Sequence, residues 1–82
     1  MTISLRLFGS LRQYLPEGAA GRQVRLEIPE GTNVLGLIMR LGIPYEAEEG
    51  QLVVTINDVQ VEHSAPLRDG DVVSMFEPLA GG

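Results

Sequence analysis

Eighty-two residues, 44% of them hydrophobic and 21% charged, suffice for one small globular domain and are too few for two cores. The net charge of −5 opposes the phosphate backbone, and no apolar run approaches the roughly 20 residues of a membrane span, so neither nucleic acid nor membrane is an expected partner. The absence of cysteine excludes disulfides, thiolate nucleophiles, thiolate-bound zinc and sulfur carried on a side chain.

All six basic residues are arginine, which leaves no side-chain amine for a Schiff base or an isopeptide bond. No signal-peptide pattern opens the chain, and the cytoplasm is the expected compartment.

In chain order, residues 2–8 alternate, with Ile3, Leu5 and Leu7 on one face and Ser4, Arg6 and Phe8 on the other, which predicts a half-buried strand. Gly9-Ser10 breaks it. Ser10 is placed to cap a short helix in which Leu11, Tyr14 and Leu15 recur at helical spacing until Pro16 ends it. A Gly/Ala-rich loop at 17–21 leads to residues 23–28, where Val24, Leu26 and Ile28 point inward as a second strand able to pair with the first.

Pro29-Glu30-Gly31 is turn chemistry, and Thr32 is the expected N-cap of the main helix. That helix carries Val34, Leu35, Ile38 and Leu41 on one stripe, with Leu37 at its border. Gly42 suits a left-handed cap and Pro44 prevents continuation. Residues 45–50 hold Glu46, Glu48 and Glu49 and read as an exposed, solvated loop without metal-ligand spacing.

Residues 52–56, nearly all apolar and β-branched, predict a buried central strand, and Asn57-Asp58 suits a tight turn into a short strand at 59–61. Leu67-Arg68-Asp69-Gly70-Asp71 makes another turn, with Asp69 and Asp71 bonding to the local backbone. The last strand is 72–76, with Val73 and Met75 inward, and Pro78 takes the chain out of the sheet. The order β-α-β-α-β-β-β predicts an α+β roll of the β-grasp kind: four or five strands in a mixed sheet, one main helix across it and a short helix after the first strand. Pattern alone leaves the strand pairing open. Residues 1–76 form the expected domain and 77–82 a flexible tail.

The tail ends in Gly81-Gly82. Two glycines make a thin tip that can enter a channel too narrow for side chains, and they leave the terminal carboxylate unhindered for an acyl adenylate, a thiocarboxylate or an amide. A frayed terminus explains the same residues equally well. Six residues from Glu77 to Gly82 reach at most about 20 Å when extended, enough to thread a buried active site.

The order of elements, the run Pro66-Leu67-Arg68-Asp69-Gly70-Asp71-Val72-Val73 and the end Phe76-Glu77-Pro78-Leu79-Ala80-Gly81-Gly82 together resemble the ubiquitin-like sulfur carriers over essentially the whole chain. The end of the chain and the helix after the first strand resemble most the small subunit of molybdopterin synthase. The thiamine-pathway carrier is typically shorter and lacks that helix. The resemblance implies that the Gly82 carboxylate is adenylated by an E1-like activating enzyme, which uses ATP and magnesium. A sulfur-donor system then converts it to a thiocarboxylate, and the tail enters the large subunit of molybdopterin synthase. No cofactor is expected on this chain, which is a co-substrate without autonomous catalysis.

Gly82 and Gly81 are therefore the expected reactive residues. Phe8 and Phe76, outward on their strands, are the expected docking patch for a partner, and Pro78, Leu79 and Ala80 the expected lining of its channel. Pro78 stiffens the tail. Related carriers have an apolar residue where Gln60 stands and a small residue or proline in place of Glu77, which here would pair with a basic group of the partner. Arg12 and Arg68 read as solvated, and His63, beside Glu62 in a polar turn, as a satisfied histidine. Carriers for thiamine or another thiolation pathway, a ubiquitin-like protein modifier and a noncovalent interaction module remain alternatives.

Overall fold

The computed structural model describes residues 1–44 and 52–77. The glutamate loop and the tail from Pro78 onward lie outside the described residues. Five strands form one mixed sheet: β1 (Thr2–Leu7), β2 (Gln23–Glu27), β3 (Val53–Ile56), β4 (Val59–Val61) and β5 (Val72–Phe76), in the order β2-β1-β5-β3-β4. β1 and β5 run parallel at the centre, and every other pairing is antiparallel. The helix α1 (Val34–Leu41) supplies Val34, Leu37 and Ile38 to a core shared with Ile3, Leu5, Leu7, Val54, Val73 and Met75. This is the β-grasp architecture, with β1 and β2 paired as neighbours.

Alternation made β1 and β5 legible, since Ile3, Leu5 and Leu7 are buried and so are Val73 and Met75. Four local expectations are corrected. The segment after β1 is a 3-10 helix, Gly9–Tyr14, entered from extended Phe8 and bonded at i+3 spacing, as in Leu11 N–H to Phe8 O at 3.2 Å. Ser10 does not cap it, because Gly9 takes φ +64° at its start and the Ser10 hydroxyl is bound elsewhere. The cap of α1 is Asn33, whose Oδ1 accepts from Gly36 N–H at 2.8 Å, whereas the Thr32 hydroxyl donates to Pro29 O at 2.7 Å. The strand at the centre is β5 and not β3, which has only the short β4 beyond it.

Leu37, expected at the border of the helix stripe, is fully buried, and Leu35 is half-buried. Gly42 is the left-handed cap at φ 78°. At the other end of α1, the carbonyls of Ala65 and His63 accept the N–H groups of Val34 and Leu35 at 3.0 and 2.9 Å, so the loop before β5 satisfies donors that a helix N-terminus leaves free. Asn57 and Asp58 both take positive φ, which is the hairpin turn between β3 and β4.

Asp71 bonds locally to Arg68 N–H at 2.8 Å and also receives the Asn57 side-chain amide at 3.1 Å. Asp69 acts at long range, accepting Thr2 N–H at 2.7 Å and tying the turn to the start of β1. Among the described residues no helix is long and apolar enough to cross a membrane, and no group of His, Asp and Glu is placed to hold a metal ion.

Candidate functional site

The root of the tail is built where β1 and β5 end side by side. Their parallel register puts Leu7 opposite Met75, both turned into the core, so that Phe8 and Phe76 follow as neighbours on the opposite face. The two rings lie parallel, at 5°, with centroids 4.6 Å apart. The sequence reading put both aromatics outward on one face. The structure brings them together and leaves each half-buried by the other.

Val53 of β3 pairs with Phe76 in register and extends the apolar row by one strand. On the other flank the Arg22 guanidinium sits 5.3 Å from the Phe8 ring centroid, held there because Leu7 N–H bonds to Arg22 O at 2.9 Å. Neither residue was singled out from the sequence. Val53 needs the β3–β5 register to be placed, and Arg22 precedes its strand.

The rest of this sheet face is mostly polar, with Ser4 and Arg6 on β1, Gln23, Arg25 and Glu27 on β2, Ser74 on β5 and Thr55 on β3, and Val72 of β5 is its apolar exception. Gln60 pairs with Thr55, one row away from the Phe76–Val53 pair, so it borders the apolar row and does not interrupt it. A hollow of about 550 Å³ lies beside β2, lined by Glu17, Gly18, Ala20, Gln23, Val24 and Arg25, and is open to solvent. It lies on the edge of the sheet away from β5.

Glu77 follows Phe76 directly. Its Oε1 accepts Ser10 N–H at 3.1 Å and its Oε2 accepts the Ser10 hydroxyl. The partner of this carboxylate is therefore within the chain, which the expectation of a basic group on another protein had missed. The Ser10 hydroxyl first, and its backbone N–H second, hold the Glu77 carboxyl below its ordinary range, against a small opposing effect of desolvation. His63 is half-buried, with Nε2 2.7 Å from Leu52 O. Arg12 and Arg68 are exposed. Pro78, Leu79, Ala80, Gly81 and Gly82 lie outside the described residues, so their expected roles rest on sequence.

The comparisons bear on this geometry as a whole. A family model described as the ThiS family matches residues 5–82. A search of curated proteins finds no match. Among solved structures, the small archaeal modifier protein 1 of Haloferax volcanii superposes with a TM-score of 0.72 at 17% identity, over 95% of this chain and 98% of that one. A Pyrococcus furiosus protein assigned as molybdopterin converting factor subunit 1 gives 0.68 at 27% identity, over 95% of this chain and 98% of its own. A chain from the complex of subunits 1 and 2 of the molybdopterin-converting factor of Helicobacter pylori gives 0.61 at 22% identity, with 100% of both chains covered.

These proteins share the β-grasp fold found here, and the family match runs from the first strand to Gly82. The chain belongs to the ThiS family, with the fold of a ubiquitin-like sulfur carrier or protein modifier.

Proposed function

We propose that this chain is a sulfur carrier whose chemistry takes place on the Gly82 carboxylate, serving molybdopterin assembly. The observation that carries the reading is the family match that extends through the diglycine end, on a chain without cysteine. With no thiol available, sulfur can ride only on the terminal acyl group. A carboxylate oxygen of Gly82 attacks the α-phosphorus of ATP and pyrophosphate leaves. A sulfide equivalent from the donor system then attacks the acyl carbon and AMP leaves, so that one oxygen is exchanged for sulfur. ATP and magnesium are bound by the E1-like activating enzyme.

The Phe8–Phe76 stack, with Val53 beside it, supplies the docking patch, and it stands where the tail begins. Pro78, Leu79 and Ala80 follow into the partner's channel and deliver Gly81 and Gly82. The 3-10 helix between β1 and β2 and the 27% identity to the Pyrococcus furiosus protein support the molybdopterin branch over the thiamine one. The Helicobacter pylori complex supports a large subunit as the second partner.

The test is intact mass after incubation with ATP, magnesium, the matching activating enzyme and a sulfur donor. The expected result is the increment of one sulfur replacing one oxygen, absent from a chain lacking Gly81 and Gly82. An unchanged mass with several matched activating enzymes overturns the reading. Molybdopterin formation on adding the large subunit then decides the branch.

A second reading, a protein modifier joined through Gly82 to lysines of target proteins, is favoured by the superposition on the Haloferax volcanii modifier. A ladder of heavier adducts on immunoblots, lost when the two glycines are removed, is its signature.

A further inference from the structure

We propose that Glu77 is a positioning residue that latches the root of the tail to the Gly9-Ser10 turn and so sets the direction in which the diglycine end is offered to a partner's active site. The inference rests on the carrier reading above.

Both oxygens of Glu77 are engaged by one residue, Ser10, through its backbone N–H and its hydroxyl. Two bonds from one residue fix the orientation of the carboxylate as well as its position, which a single bond would leave free to swivel. The N–H used is one that the start of the 3-10 helix cannot satisfy internally, so the latch also completes the turn.

Gly9 makes room for it. A Cβ on that residue would lie 2.8 Å from Glu77 Oε1, and the backbone there, at φ +64°, is of the kind that glycine adopts most easily. On the inner side the same corner is held by Phe8 N–H to Met75 O at 3.2 Å, and on the outer side by the stacked rings. Phe76 and Glu77 are thus tied to consecutive residues of the turn, Phe8 through Ser10, which are 67 residues away along the chain at the Glu77 contact.

The following residue is Pro78, a residue type whose ring restricts φ and so removes one of the freedoms by which a direction imposed at Glu77 would be lost. A tail already aimed loses less freedom on entering a channel, and the apparent affinity of a partner rises with the fraction of chains in the competent orientation.

The test uses the full-length chain labelled with nitrogen-15, wild type against Glu77→Ala, Ser10→Ala and Glu77→Gln, in two arms. The first arm reads the heteronuclear NOE of the amides of residues 79–82. The second reads the KM and kcat for the chain as substrate of the matching activating enzyme. The latch predicts lower NOE values in Glu77→Ala and Ser10→Ala, and a KM raised about three- to tenfold with kcat unchanged, because only the competent fraction falls.

Glu77→Gln rescues both readouts, since its amide oxygen accepts Ser10 N–H and its amide nitrogen donates to the Ser10 hydroxyl. Were Glu77 instead a docking charge for a basic partner, Glu77→Gln would behave as Glu77→Ala and Ser10→Ala as wild type, which overturns the proposal. NOE values unchanged in Glu77→Ala and Ser10→Ala overturn it as well. A wild-type chain that no activating enzyme adenylates defeats the carrier reading, while the NOE arm still decides the latch, so the two failures are told apart.

Discussion

Gly9 is held between two constraints, a left-handed backbone and the carboxylate of Glu77 lying over its α-carbon. A side chain at this position meets both. Gly9→Ala is expected to cost about 1–2 kcal/mol for the backbone alone, and to push Glu77 off Ser10 in addition. Urea denaturation of Gly9→Ala, Glu77→Ala and the double variant separates the two effects, because the backbone cost persists when the carboxylate is gone. Equal stability of Gly9→Ala and wild type would remove the constraint argued here.

Glu77 also carries a pH dependence with a definite sign. Its folded pKa lies below that of an ordinary glutamate, because the Ser10 hydroxyl and then the Ser10 N–H bond the carboxylate, so its contribution to stability is present above the unfolded pKa and is lost as pH falls through the folded one. The Ser10 amide resonance is the probe, and its acid titration should have a midpoint below that of an ordinary exposed glutamate. A midpoint at or above that of an ordinary exposed glutamate contradicts the contact.

At the scale of single elements, the start of α1 shows how neighbouring polar residues divide their work. Thr32 and Asn33 are both good caps by type, and their order in the chain does not choose between them. The choice falls to Asn33 because Thr32 turns its hydroxyl back to Pro29 O, closing the turn that precedes the helix, and leaves Asn33 facing Gly36 N–H. Asn33→Ala should therefore cost about 1 kcal/mol in chemical denaturation, and Thr32→Ala less. A larger loss for Thr32→Ala would reverse the assignment.

The short helix after β1 carries the same lesson. Its apolar spacing at Leu11, Tyr14 and Leu15 was legible, but the identity of the turn was not, because Ser10 is drawn out of a capping role by a carboxylate from the other end of the chain.

For the whole molecule, the division is between a domain whose stability comes from the sheet and α1, and a terminus proposed to hold the chemistry. Among the described residues the core is shared by β1, β3, β5 and α1 together with Leu11, Ile28, Ile43 and Leu67, and none of it lies beyond Met75. Removing Gly81 and Gly82 should leave the melting temperature unchanged while abolishing the mass increment of sulfur for oxygen. Thermal unfolding followed by circular dichroism, beside the intact-mass assay, checks both halves. A large fall in melting temperature would mean that the end of the chain is part of the fold.

The order of elements, the inward faces of β1 and β5 and the left-handed cap at Gly42 were all legible in the sequence, because each depends on a local rule: alternation, helical spacing, the missing Cβ of glycine. What only the tertiary structure decided depends on partners far apart in the chain. The parallel register of β1 with β5 put Phe8 against Phe76, the antiparallel register of β3 brought Val53 beside them, and the same corner set Glu77 on Ser10. No local pattern carries such pairings, since a strand's alternation states which face a residue takes and not which neighbour it meets there.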